Sequence, residues 1–68
     1  MTIARNLKAA RVMKGESQLS LSKDSGVSQA QISSIENGLK KNPGIYTVRK
    51  LADALGISVD ELLKEENE

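Results

Sequence analysis

Sixty-eight residues without a cysteine or a histidine suffice for one small domain and exclude disulfides, the usual zinc sites, and Cys or His nucleophile and base chemistry. No apolar run approaches the roughly 18 residues needed to cross a bilayer, and residues 1–15 lack the apolar stretch of a secretion signal. The formal charge of +1 conceals a division: residues 1–50 carry nine Lys or Arg against three acids (+6), and residues 51–68 one Lys against six acids (−5).

Residues 2–14 are predicted to form a first helix, with Thr2 a candidate cap and Ile3, Leu7, Ala10 and Met13 on an inward stripe. Arg11 borders that stripe. An arginine there either reaches out to water or pairs with a buried carboxylate, for which Glu36 is the best candidate. Gly15 ends the helix, because the residue past a helix C-terminus commonly needs a left-handed backbone that glycine enters freely.

Residues 17–38 hold two short helical patterns around a glycine turn. Ser17 is a candidate N-cap for the first, in which Leu21 points inward and which Gly26 stops. Val27 fills the turn. Ser28 caps the second pattern, in which Ile32 and Ile35 share a face, and Asn37-Gly38 ends it. Two helices of about nine residues joined by a short turn containing glycine fit the helix-turn-helix unit.

At about 100° per residue, Ala30, Ser33, Ser34 and Asn37 lie opposite the Ile32/Ile35 stripe, with Gln29 and Gln31 on its flanks. None is bulky, and all but Ala30 form hydrogen bonds. Such a face can enter a major groove about 12 Å wide, where Gln can pair with adenine N6 and N7. Solvation alone also explains polar outward residues on a surface helix. The basic bias of residues 1–50 suits a surface that meets a polyanion, with the acidic end held away from it; chance clustering in a short chain is the alternative.

Residues 39–44 form a loop by composition, and its Lys40 and Lys41 suit phosphate contact as well as simple solubility. A fourth helix is predicted over residues 45–55, with Val48, Leu51, Ala52 and Leu55 inward and Gly56 closing it. Ser58 and Glu61 have the spacing of a capping box for a fifth helix, in which Leu62 and Leu63 face inward. Tyr46, the single aromatic residue, is expected at a helix junction. It supplies no stacking platform for single strands. No strand, repeat or second domain is indicated over residues 1–68.

With these elements in order, the chain resembles the phage Cro and repressor family of helix-turn-helix proteins, also called the xenobiotic-response-element type. The resemblance runs from Ile3 to Leu63. It rests on Leu7 and Arg11, Ser17-Gln18, Leu21, Gly26-Val27-Ser28 and the run from Ile32 to Gly38 (ISSIENG). Asn42-Pro43, the run from Leu51 to Ser58 (LADALGIS) and Leu62-Leu63 complete it. It implies an all-α, compact five-helix lambda-repressor-like DNA-binding domain with the helix-turn-helix as helices two and three. The recognition helix then covers about residues 28–37 and reads double-stranded operator DNA as a two-fold homodimer on half-sites about one helical turn apart.

The resemblance assigns base contacts to Gln29, Ala30, Gln31 and Ser34. It assigns phosphate contacts to Ser17, Gln18, Ser28, Ser33, Asn37, Lys40 and Lys41. Arg11 and Glu36 become a structural ion pair, and Val59, Leu62 and Leu63 the dimer contact. No cofactor or metal is implied. Three positions depart from the family pattern: Glu16 stands where an apolar residue is frequent, Leu19 where an acid is, and Ser22 where an alanine is, still small enough for the close helix crossing.

The implied function is a sequence-specific transcriptional regulator, most simply a repressor on a palindromic operator, acting in the cytoplasm and at the nucleoid when bound. An antitoxin-like module that binds a partner protein and represses its own operon is the alternative, and an exposed apolar patch beyond the dimer contact would favour it. An enzyme is not expected, since no nucleophile-base set, phosphate-cradling loop or metal-ligand cluster appears in the sequence. If the chain is complete, control comes through concentration, dimerisation or another protein; if it is a fragment, an effector region lies elsewhere.

Overall fold

The structure is a computed structural model that describes residues 2–65, with side chains from Ile3 onward. Five helices follow one another: α1 (Thr2–Met13), α2 (Gln18–Ser25), α3 (Gln29–Glu36), α4 (Ile45–Leu55) and α5 (Val59–Leu63). Among the described residues there is no strand. The expected Thr2 cap concerns a side chain outside those described.

Punctuation residues set these boundaries. Ser17 Oγ accepts from Ser20 N and Ser28 Oγ from Gln31 N, so α2 and α3 both start on a serine cap. Gly26 closes α2 at φ 78°, in the left-handed region. Ser58 and Glu61 form the reciprocal capping box at the start of α5.

One cluster of buried side chains joins all five helices: Ile3, Leu7, Leu21, Val27, Ile32, Ile35, Val48, Leu51, Ala52, Leu55 and Leu62. Helix α1 packs on α3 and α5, α2 on α3 and α4, and α4 on α5. Helix α3 is therefore gripped along its isoleucine side by α1 and α2.

Three inward expectations fail, each for an angular reason. Met13 is 88% exposed. Buried Ala4 and half-buried Arg11 rotate the true inward direction of α1 toward their side, leaving Met13 roughly 125° away from it at 100° per residue. Tyr46 is 76% exposed rather than lodged at a junction, because it lies nearly opposite the centre of the stripe made by Val48, Leu51, Ala52 and Leu55. Leu63 is 43% exposed while Leu62 is fully buried; adjacent helical residues diverge by about 100°, so one of the pair faces in.

Candidate nucleic-acid interface

The seat of α3 is fixed by a polar junction at its C-terminal end. Arg11 Nε donates to Glu36 Oε2 at 2.8 Å and Arg11 Nη2 to Glu36 Oε1 at 3.0 Å, a two-pronged pair. Arg11 Nη1 donates to the Glu16 carbonyl at 2.8 Å, and Gln18 Nε2 donates to Glu36 Oε1 at 3.1 Å. The pair is largely dry, with side chains 12% and 3% exposed. Burial pushes the Glu36 carboxyl upward. The hydrogen bonds from Arg11 and Gln18, and the charges of Arg11 and Lys8, outweigh that and hold it below its ordinary value. One carboxylate thus ties α1, α2 and α3 together at fixed angles.

The opposite side of α3 is open. Gln29, Ala30, Gln31 and Asn37 are exposed, and Ser33 and Ser34 are half-buried. Asn37 Nδ2 donates to Ser33 Oγ at 3.3 Å, which leaves the Asn37 carbonyl oxygen and a second amide hydrogen for another partner. The Ser17 and Ser28 hydroxyls accept from helix N–H groups and keep their own hydrogens to donate. Gln18 is half-buried and spends one amide hydrogen on Glu36, retaining the other and its oxygen.

Lys40 and Lys41 follow the chain reversal at the C-terminal end of α3. Gly38 takes φ 78°, and the Ser34 carbonyl accepts from both Leu39 N at 2.9 Å and Lys40 N at 3.1 Å. The loop backbone therefore folds back onto the turn that carries Ser34, and both lysines are exposed. A helix face of uncommitted donors and acceptors, followed by a loop with two exposed cations, suits a polyanion whose edges carry the same groups.

A helix-turn-helix family profile matches residues 7–62, which takes in both motif helices and the junction that seats them. The chain belongs to the helix-turn-helix family, in its Cro and repressor branch. This helix-turn-helix chain is 38% identical over 66 residues to the HTH-type transcriptional regulator SinR of Bacillus licheniformis and, to the same degree, to SinR of Bacillus subtilis. Those matches cover 97% of the chain and 60% of each relative, so the chain spans 60% of their length. It is 34% identical over 64 residues to the regulator SlrR of Bacillus subtilis, covering 94% of the chain and 42% of SlrR. A solved structure described as the N-terminal DNA binding domain of SinR from Bacillus subtilis superposes with a TM-score of 0.92 at 37% identity, covering 98% of this chain and 97% of that one. The family is one of regulators, not enzymes.

The helix-turn-helix elements carry the residues expected at base edges and phosphates on α2, α3 and the following loop. The residues expected at a dimer contact sit elsewhere, on α5, which packs against α1 and α4. Leu62 must be removed from that group, because its fully buried side chain presents no surface to a second copy. Val59 is half-buried against the core, and Leu63 is exposed. Helical spacing gave no sign that Gln18 joins the Arg11–Glu36 pair, since periodicity orients side chains about one axis and leaves the relation between two axes open. The exposure of Leu39 (79%), Ile45 (58%) and Tyr46 around the lysine loop was also missed, although the angular position of Tyr46 on α4 was a usable signal.

Proposed function

We propose that the helix-turn-helix chain binds double-stranded operator DNA in a sequence-specific manner and regulates transcription, as a repressor on a palindromic site. The observation that carries this reading is the free polar face of α3, seated by the Arg11–Glu36–Gln18 junction and followed in the chain by the exposed Lys40 and Lys41. Gln29, Ala30, Gln31 and Ser34 read base edges from the major groove. Ser17, Gln18, Ser28, Ser33, Asn37, Lys40 and Lys41 hold the phosphates and so fix the register of the reader. The likeness to the SinR DNA binding domain supports the same assignment, and the protein acts in the cytoplasm, on the nucleoid.

Two copies bind as a dimer. They sit on half-sites about one helical turn apart and meet through Val59 and Leu63 on α5.

A second reading, the antitoxin-like module, requires that exposed apolar side chains such as Val12, Met13, Leu39 and Tyr46 form one patch for a partner protein to bury. Selection of bound sequences from random duplexes tests the first reading. Recovery of a two-fold sequence with half-sites one turn apart is expected, and recovery of no enriched sequence would overturn it.

A further inference from the structure

Among the described residues, Glu16 Oε1 is the side-chain oxygen that is buried with no hydrogen-bond partner. The Glu16 backbone cannot swing to relieve this, because it is held twice. Its N–H donates to the Arg11 carbonyl at 3.0 Å, and its own carbonyl accepts from Arg11 Nη1 at 2.8 Å. Those bonds fix Glu16 immediately before the Ser17 cap, where an apolar side chain ordinarily packs toward the fourth residue of the helix; that residue here is the fully buried Leu21. The result is a carboxyl side chain only 13% exposed.

The charged groups around it are few. From the end of α1, Lys14 Nζ lies 4.0 Å from Glu16 Oε2, but that ammonium already donates to the Ala54 carbonyl at 2.5 Å. Arg11 is spent on Glu36 from α3 and on the Glu16 carbonyl. From α2, the Asp24 carboxyl stands within hydrogen-bonding reach of Glu16, and Lys23 lines the same shallow surface cleft as Asp24. Two carboxylates face to face repel and have no hydrogen to share; a single proton between them removes the repulsion and supplies the missing bond.

We propose that Glu16 and Asp24 form a proton-held latch on the helix-turn-helix, a carboxyl–carboxylate hydrogen bond that seats α2 against the α1–α2 turn and slackens when the pair loses its proton. The hydrogen bond with Asp24, then burial, then the Asp24 charge hold the Glu16 carboxyl above its ordinary value, and the Lys14 charge opposes them. A carboxyl raised in the folded state contributes stability that is complete below its unfolded value and is lost as pH rises through its folded value. Slackening reaches the reader helix, because Gln18, two residues beyond Glu16, holds Glu36 at the end of α3.

Carbon-detected titration of the Glu16 carboxyl in the parent chain, together with urea denaturation from about pH 3 to about pH 8, so that the range begins below the ordinary glutamate value, tests the latch without DNA. Glu16 is expected to titrate above the ordinary glutamate range, and the parent urea midpoint to fall as pH crosses that titration. Glu16→Gln should lose the fall, and Asp24→Asn, whose amide can donate to a Glu16 carboxylate, should return Glu16 to the ordinary range. A Glu16 titration at or below the ordinary range, or parent and Glu16→Gln midpoints that move in parallel with pH, would overturn the proposal. The titration needs no variant, so a substitution that fails to fold leaves the test intact.

Discussion

Arg11 and Gln29 mark the two kinds of residue this chain depends on, one committed to partners within the fold and one turned to solvent. Arg11 gives its hydrogen bonds to Glu36 and to the Glu16 carbonyl, so Arg11→Ala leaves a buried carboxylate uncompensated and should cost about 3–5 kcal/mol in urea denaturation. Replacing both partners at once, Arg11→Met with Glu36→Leu, should cost less than either single truncation, since no charge is then stranded. The Glu36 carboxyl is held below its ordinary value despite its burial. Its contribution is therefore complete above the unfolded value and lost as pH falls through the depressed one. The acid limb of the stability profile should flatten in Glu36→Gln. Gln29, by contrast, has no partner in the fold to lose. Gln29→Ala should leave stability unchanged and cost about 1–3 kcal/mol of DNA binding at one base pair of the selected site, with relaxed preference there.

At the level of the element, the α2–turn–α3 unit owes its shape to a glycine and two serines. A Cβ built on Gly26 meets no atom within 4 Å, yet its φ is +78°. Gly26→Ala should therefore destabilise by roughly 1–2 kcal/mol from backbone strain alone, without a packing defect. Ser28→Ala removes the acceptor for Gln31 N and should cost about 1 kcal/mol, a loss that Asp at the same position largely restores. Thermal unfolding of the three variants separates these effects. Helix α5 is held differently, since five residues are too few to persist alone. Its capping box is joined by Asn6 Nδ2, which donates to the Leu62 carbonyl at 2.9 Å and the Lys64 carbonyl at 2.7 Å.

Across the whole molecule, the basic excess of residues 1–50 and the acidic excess of residues 51–68 give DNA binding its expected salt response. Lys40→Ala should weaken all duplex sequences alike and lower the salt slope by about one, measured by titration at several salt concentrations; a changed base preference would move Lys40 into the reading group. Arg11 variants that still fold should keep the parent slope. For association, Leu63 is the position to test, because Val59 packs partly against the core and its loss would confuse folding with assembly. Leu63→Asp should reduce cooperative binding to a two-half-site duplex and leave half-site binding unchanged.

Much of this was legible in the linear chain. Serine caps, glycine stops and the period of Val48, Leu51, Ala52 and Leu55 are local signals, and local signals determine where helices start, stop and face. The ion pair was also within reach, because a charged residue beside a core stripe needs a partner and the chain offers few. What only the tertiary structure decided depends on how one helix axis lies against another: the burial of Ala4 that turns the inward side of α1 away from Met13, the bond from Gln18 to Glu36, and the approach of Asp24 to Glu16. A repeating pattern gives the angle of a side chain about its own helix and carries no information on the distance or tilt of the next.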